Sequence, residues 1–381
     1  MKVFISIALL LLTAGAFAQQ KPAARTDLIV NVNGRAVHIR NEGSKPPVVV
    51  FEAGMGDTLE TWAPVFPEVA KFAHAFAYDR AGSGQSGNVS GERSYKQLAV
   101  ELHEVLQGQK LAPPYVLVGH SFGAVVSRAF YAAYPTEVSA IVLIDPMTEI
   151  LLGSPSATKT EPDERLKTAP PGVHSEFAFL NKDLNDNFRA MSALGRPKVP
   201  ITLLVARSVR PAGWEKAVLD RYEDWILERD DSSIIVTSNS AHFIHRDEPE
   251  LVIGAIRRIV YPNPLPELRR TLRDKGIDAA VALFRDQVAR YPKQDMNAGI
   301  LNGIGYEELE AGHVDNAIRL FALNVEANPK DPNVYDSLGE AYAVKGDREN
   351  AIANYKKSLD LNPKNVGALE AIARLKTAAR R

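Results

Sequence analysis

From Asp27 to Tyr261 the chain alternates short apolar runs with longer amphipathic stretches. Asp27–Asn33 and Arg35–Arg40 meet across Asn33-Gly34, a dipeptide that accepts the positive φ angles of a two-residue turn, and so predict a hairpin. Pro47–Glu52, Ala73–Tyr78, Tyr115–Val118, Ala140–Ile144, Ile201–Val205 and Ile234–Thr237 predict further strands. Tyr95–Leu106 and Ser121–Tyr134 instead carry apolar residues at helical spacing. Such alternation implies an α/β fold with a mostly parallel sheet and helices on both faces. Residues 146–200 break the rhythm, being charged, proline-containing and weakly periodic. An insertion of about 50 residues exceeds an ordinary connection, which predicts a lid or binding element there.

Strand signals stop at Tyr261-Pro262-Asn263-Pro264-Leu265-Pro266, a proline-stiffened joint that divides a domain at 27–262 from a second at 263–381. Beyond it Pro329 and Pro363 stand 34 residues apart. At that same offset Leu301, Ile304, Gly305, Gly312, Ala317 and Phe321 map onto Tyr335, Leu338, Gly339, Gly346, Ala351 and Tyr355. This pattern resembles the tetratricopeptide repeat and implies an all-α domain of helical hairpins. Gly339 and Ala351 would be small where two helices cross, with Tyr335 and Tyr355 filling the space beside them. A degenerate third copy precedes these, aligned on Ala280, Phe284 and Pro292. Three copies barely bury their own faces, so the block is expected to pack on the first domain or on a second subunit, or to hold a protein partner.

The N-terminus changes the expected compartment. Lys2 precedes an apolar run of about 10 residues, and small residues end in Ala16-Phe17-Ala18, the layout of a secretory signal cleaved after Ala18. The run is short for a membrane span, which needs about 20 apolar residues. A linker at 19–26 would follow, and the mature chain would work in the periplasm or the medium. The 381 residues carry a formal charge of −1, so no global field favours nucleic acid or an anionic membrane. No cysteine is present, which excludes disulfides, thiolate metal sites and a cysteine nucleophile.

Val116-Leu117-Val118-Gly119-His120-Ser121-Phe122-Gly123-Ala124 places G-x-S-x-G between a strand and a helix. That is a nucleophile elbow: the turn is too tight for side chains at 119 and 123, and it projects the Ser121 hydroxyl at a helix N-terminus. A serine hydroxyl needs an imidazole to take its proton. His242 and His245 follow the last predicted strand, and His242, nearer the strand end, is the preferred base. His245 is the alternative base, or else a solvated first-turn residue of the helix at 249–260. His120 reads as packing or site lining. His38, His74, His103 and His313 read as scaffold or surface, and His174, inside the insertion, as a possible substrate contact.

Residues 27–262 resemble the α/β-hydrolase fold family. The resemblance rests on the elbow, on Val50-Phe51-Glu52-Ala53-Gly54-Met55-Gly56, on Tyr78-Asp79-Arg80-Ala81-Gly82-Ser83-Gly84-Gln85-Ser86, and on Ala241-His242-Phe243 followed by Glu248-Pro249-Glu250. It implies an oxyanion hole formed by the backbone amides of Met55 and Phe122. Glu52-Ala53 stands where the family usually has His-Gly. Gly82-Ser83-Gly84 lacks the lysine of a phosphate loop and reads as a turn at the site entrance. The family usually places its acid after the strand at Ile201–Val205, where this chain has no carboxylate. Asp145, ending the preceding strand, is the preferred acid; Glu215, Asp220 and a dyad without acid are the alternatives. The resemblance implies a serine hydrolase, most often a carboxylesterase, that uses no cofactor or metal and acts on a small ester or acyl substrate. Serine in place of aspartate speaks against epoxide hydrolase and haloalkane dehalogenase chemistry. The competing expectation is a catalytically inactive scaffold that binds a partner through the repeats. Within the insertion Glu161, Asp163, Glu164, Lys167, Glu176, Phe177, Phe179 and Phe188 are expected to line the substrate pocket without a single charge preference.

Overall fold

The computed structural model of the chain describes residues 27–88, 93–148, 171–172, 174–176, 184–207, 214–226, 231–291 and 293–378. The expected signal peptide, its cleavage point after Ala18 and the linker at 19–26 lie outside them.

Asn33 and Gly34 both take positive φ, 52° and 83°, so β1 (Asp27–Val32) turns at once into β2 (Arg35–Glu42) with Val32 opposite Arg35. β3 (Val48–Glu52) and β4 (His74–Tyr78) are parallel to each other, and β4 joins the hairpin by an antiparallel pairing with β2. β5 (Tyr115–His120), β6 (Val138–Ile144), β7 (Ile201–Ala206) and β8 (Ser233–Thr237) extend the sheet in parallel, giving the order β1-β2-β4-β3-β5-β6-β7-β8. Every residue of β3, β5 and β7 is buried, as strands covered on both faces must be.

The covering helices are α1 (Phe66–Ala70), α2 (Tyr95–Gly108), α3 (Phe122–Ala133), α4 (Leu184–Ala193), α5 (Trp214–Ile226), α6 (Ile244–Asp247) and α7 (Pro249–Val260). α2 begins where the Ser94 hydroxyl accepts from the Gln97 amide. The 3₁₀ turn Leu59–Trp62 and α1 carry no sequence signature, because elements of four and five residues are too short to display a helical period. Yet Trp62 and Phe66 are fully buried and pack on Phe51 of β3, with ring centroids 5.0 and 5.6 Å away.

The chain forms two compact units that meet in sequence between Ile256 and Arg257. This is six residues before the boundary expected at 262/263, because the last turn of α7 is tied to residues later in the chain: Arg257 donates to Asp295 at 2.5 Å and lies over the Tyr261 ring. The second unit is helical: α8 (Leu265–Lys275), α9 (Ile277–Arg290), α10 (Ala298–Glu310), α11 (Val314–Ala327), α12 (Pro332–Lys345), α13 (Arg348–Leu361) and α14 (Val366–Ala378). The small positions behave as the repeat demands. A Cβ on Gly305 would lie 2.4 Å from the Phe321 ring and one on Gly339 3.1 Å from the Tyr355 ring. Among the described residues, no helix is long and apolar enough to cross a membrane.

Candidate active site

β5 ends in Gly119-His120 and the chain reverses at Ser121, whose φ of 51° and ψ of −113° lie outside the regions L-residues prefer. The flanking glycines are sterically required. A Cβ at 119 would sit 2.6 Å from the Gly123 carbonyl oxygen, and one at 123 would sit 2.2 Å from that of Glu52. The first turn of α3 is therefore pressed against the end of β3. Phe122, as the first residue of α3, carries one of the amides that a helix cannot satisfy internally. Two backbone bonds tie the elbow to the next strand: Ser121 N–H donates to Ile144 O at 3.0 Å, and Met147 N–H donates to Ser121 O at 3.0 Å.

His120 pairs in register with Ile144, so Ser121 and Asp145 are the first residues past two neighbouring strand ends. Asp145 is buried and also has positive φ, 39°. Its backbone N–H donates to Leu204 O at 2.7 Å, and its Oδ1 accepts from the Ala206 amide at 3.2 Å. Its Oδ2 lies 2.6 Å from Nδ1 of His242, in the loop after β8. A carboxylate only accepts, so this contact puts the imidazole proton on Nδ1 and leaves Nε2 with a lone pair. The His242 side chain is 39% exposed, open enough for a substrate to reach it. Of the alternative acids, Asp220 pairs with Lys216 on the exposed side of α5 at 2.6 Å. The Glu215 side chain lies outside the described residues.

His245 corrects the sequence reading. It is fully buried in the short helix α6, its ring 4.7 Å from that of Trp62 and 4.4 Å from that of His120. Thr61 Oγ1 accepts from both Nε and Nη2 of Arg246, at 3.0 and 2.7 Å, so its own proton points to His245 Nε2, 2.7 Å away. Burial lowers the His245 pKa to about 2, and burial together with the neighbouring His242 lowers that of His120 to about 3, so both rings are neutral at pH 7. His120, only 1% exposed, donates from Nε2 to the His242 carbonyl at 2.9 Å and so holds the backbone of that loop. His38 is buried on Asp79 at 2.7 Å, while His174 and His313 are exposed.

Met55 is half-buried in the turn that Asp57 N–H closes on Gly54 O at 3.3 Å. Beneath that turn lies a charge cluster that sequence reasoning missed. Arg80 donates to the Ala53 and Gly54 carbonyls at 2.6 and 2.9 Å, to Glu52 at 3.2 Å and to both carboxylate oxygens of Glu176 at 2.7 and 3.1 Å. Arg93 reaches Glu176 at 3.3 Å and also pairs with Glu101, while the Tyr78 hydroxyl donates to Glu52. Burial pushes the Glu52 carboxyl up to about 7 against the pull of Arg80. Burial opposes the charge on Arg80, but Glu176 and Glu52 outweigh it and raise its pKa. Glu176 is fully buried, so it does not line a pocket as expected; two arginines draw it inward. Glu161, Asp163, Glu164, Lys167, Phe177 and Phe179 lie outside the described residues, as does the side chain of Phe188. The available signals were the odd Glu52 and the arginine of the Tyr78-Asp79-Arg80 loop. In the glycine turn Gly82 and Ser83 are buried, while Gly84 and Gln85 are exposed.

An eight-stranded, mostly parallel sheet with an elbow serine at the end of its central β5 and a histidine loop after β8 defines the class: an α/β-hydrolase fold, here joined to helical repeats. The family model described as alpha/beta hydrolase fold matches residues 47–203, and that of the tetratricopeptide repeat matches 332–365. A protein of Bacillus subtilis (strain 168), named "Uncharacterized protein YqjL", is 31% identical over 231 residues, 59% of this chain and 88% of its own length. The chain belongs to the α/β-hydrolase fold family. An AB hydrolase superfamily protein of Gibberella zeae is 32% identical over 99 residues, 26% of this chain and 31% of that protein. The solved structure of the epoxide hydrolase CorEH without ligand shares the fold at a TM-score of 0.51 and 16% identity, over 63% of this chain and 99% of that one.

Proposed function

We propose that the protein is an exported serine hydrolase that cleaves an ester-like acyl bond, with Ser121 as nucleophile, His242 as base and Asp145 as the acid that orients it. The observation that carries this reading is the 2.6 Å contact between Asp145 Oδ2 and His242 Nδ1. It fixes the tautomer in which Nε2 takes the serine proton and stabilises the imidazolium so formed. Ser121 attacks the carbonyl carbon, the carbonyl oxygen becomes an oxyanion held by the amides of Met55 and Phe122, and the leaving alcohol takes the proton back from His242. Water, deprotonated by the same ring, releases the acid and regenerates the serine. The signal at 1–18 would carry the chain to the periplasm or medium, and the repeats would present it to a protein partner or a second copy.

The test is a fluorophosphonate label on the full chain together with hydrolysis of a p-nitrophenyl ester panel. Label on Ser121, and a loss of kcat on the order of 10⁴–10⁶ in Ser121→Ala, are expected. A label elsewhere, or no turnover by a folded wild type, overturns the reading and favours a binding scaffold.

A further inference from the structure

We infer that Arg80 and Glu176 are positioning residues that hold the oxyanion loop in its working geometry, with Gly172 seating Glu176 against Arg80; this rests on the proposed hydrolase reading. Three separate contacts carry it.

Arg80 binds the loop by its backbone. Its Nη1 and Nη2 take the carbonyl oxygens of Ala53 and Gly54, the two residues before Met55, and a carbonyl held this way fixes the peptide plane whose amide belongs to the next residue. The Gly54 carbonyl and the Met55 amide share one such plane. Rotating that plane away from Arg80 would swing the Met55 N–H with it. The guanidinium is 3% exposed and lies over the Phe122 ring, 5.4 Å from its centroid, so the same side chain meets both the peptide group of the Met55 amide and the side chain of Phe122.

Glu176 holds the guanidinium. Its two oxygens face Nε and Nη2 of Arg80 in a fork, the geometry that fixes an arginine plane best. The side chains around this pair are Glu52 at the end of β3, Tyr78 of β4, Arg93 just before α2 and Glu101 in the middle of that helix.

A glycine pair brings Glu176 there. Gly172 N–H donates to Gly82 O at 2.9 Å. A Cβ on Gly172 would lie 2.5 Å from Ala81 O, and one on Gly82 2.5 Å from Gly172 N. Backbone thus meets backbone with no room for a side chain, and Glu176, four residues later in sequence, meets Arg80. Charge and steric contact fix the same seat by independent means.

The experiment compares the full-length wild type with Arg80→Met, Arg80→Lys, Glu176→Gln and Gly172→Ala, using exposed Lys216→Ala as control. Each is titrated with a fluorophosphonate so that kcat is expressed per reactive serine, and each is assayed for inhibition by a trifluoromethyl ketone, which forms a tetrahedral anion at the serine. Arg80→Met is expected to lose on the order of 10²-fold in kcat with KM within about twofold, and the ketone Ki should rise in parallel. Gly172→Ala, which leaves every charge in place, should lose kcat in the same sense, and Arg80→Lys should recover only part of it. A drop confined to the titratable fraction, with kcat per serine and ketone Ki unchanged, would make the cluster merely structural and overturn the inference. So would a rise in KM alone. If Arg80→Met does not fold, the Glu176→Gln and Gly172→Ala ratios of kcat to ketone Ki decide. Wild type that neither labels at Ser121 nor turns over ester removes the underlying reading, an outcome seen before any variant is compared.

Discussion

Ser121 and Asp145 stand side by side at the ends of the parallel strands β5 and β6, both with positive φ, 51° and 39°, and are joined through the bond from Ser121 N–H to Ile144 O. Non-glycine residues in such conformations cost about 1–3 kcal/mol each, and they persist where the surroundings over-determine them. Here the surroundings are the strand ladder and the carbonyls of β3 that press on Gly123. Strain at two adjacent strand ends is the signature of a site that trades stability for the direction of its side chains.

Ser121→Gly should therefore stabilise the fold while abolishing activity. Relief of strain outweighs the roughly 0.5–1 kcal/mol that glycine costs in chain entropy. The thermal midpoint should rise by roughly 2–4 °C per kcal/mol gained, as read by calorimetry. Ser121→Ala keeps a Cβ and should show no such gain; equal midpoints for the two variants would remove strain from the account.

Asp145→Asn should leave the fold intact and lower kcat on the order of 10⁴-fold. Its amide oxygen can still accept from Ala206, but an amide nitrogen facing His242 Nδ1 would demand the tautomer that has no lone pair on Nε2. Ester hydrolysis at saturating substrate, set beside the circular dichroism melt, separates the two effects. A variant with wild-type kcat would assign the acid elsewhere.

Acid should weaken the first unit through His120 and His245. Their folded pKa values, lowered to about 3 and about 2, lie below the ordinary value of 6.5, so the unfolded chain binds more protons across that interval. Their contribution is complete above pH 6.5 and is lost as pH falls through the window below it. Each group adds a slope of up to about 1.4 kcal/mol per pH unit. Urea midpoints at pH 6.5 and 5 should fall in wild type and fall less in His245→Gln, whose side-chain oxygen can still accept from Thr61. Parallel slopes in the two proteins would contradict this.

The repeat unit offers a graded steric test. Gly305→Ala drives a Cβ to 2.4 Å from Phe321 and should cost about 1–3 kcal/mol. Gly339→Ala meets Tyr355 at 3.1 Å, a tight contact the ring relieves by moving away a few tenths of an ångström. The helix-propensity gain of about 1 kcal/mol from replacing glycine then brings the second change near neutral. Chemical denaturation followed by far-ultraviolet dichroism of the full chain should rank them in that order.

Much of the architecture is written along the chain. The Asn33-Gly34 turn, the strand runs, the elbow glycines and the 34-residue period each rest on local chemistry, in which neighbours in sequence set φ, periodicity or close approach. The same local reasoning put His242 after the last strand. It misplaced His245, because whether a ring beside a strand end faces water or Trp62 depends on α6, four residues long, and on a 3₁₀ turn from elsewhere in the chain. The pairing of Asp145 with His242 could not be read along the chain, because folding carries the loop after β8 to the end of β6, 97 residues away in sequence. Arg80, Glu52 and Glu176 were legible only as scattered charges. Their grouping exists because burial makes any unpaired charge intolerable, and so the tertiary fold, not the order of residues, chose the partners.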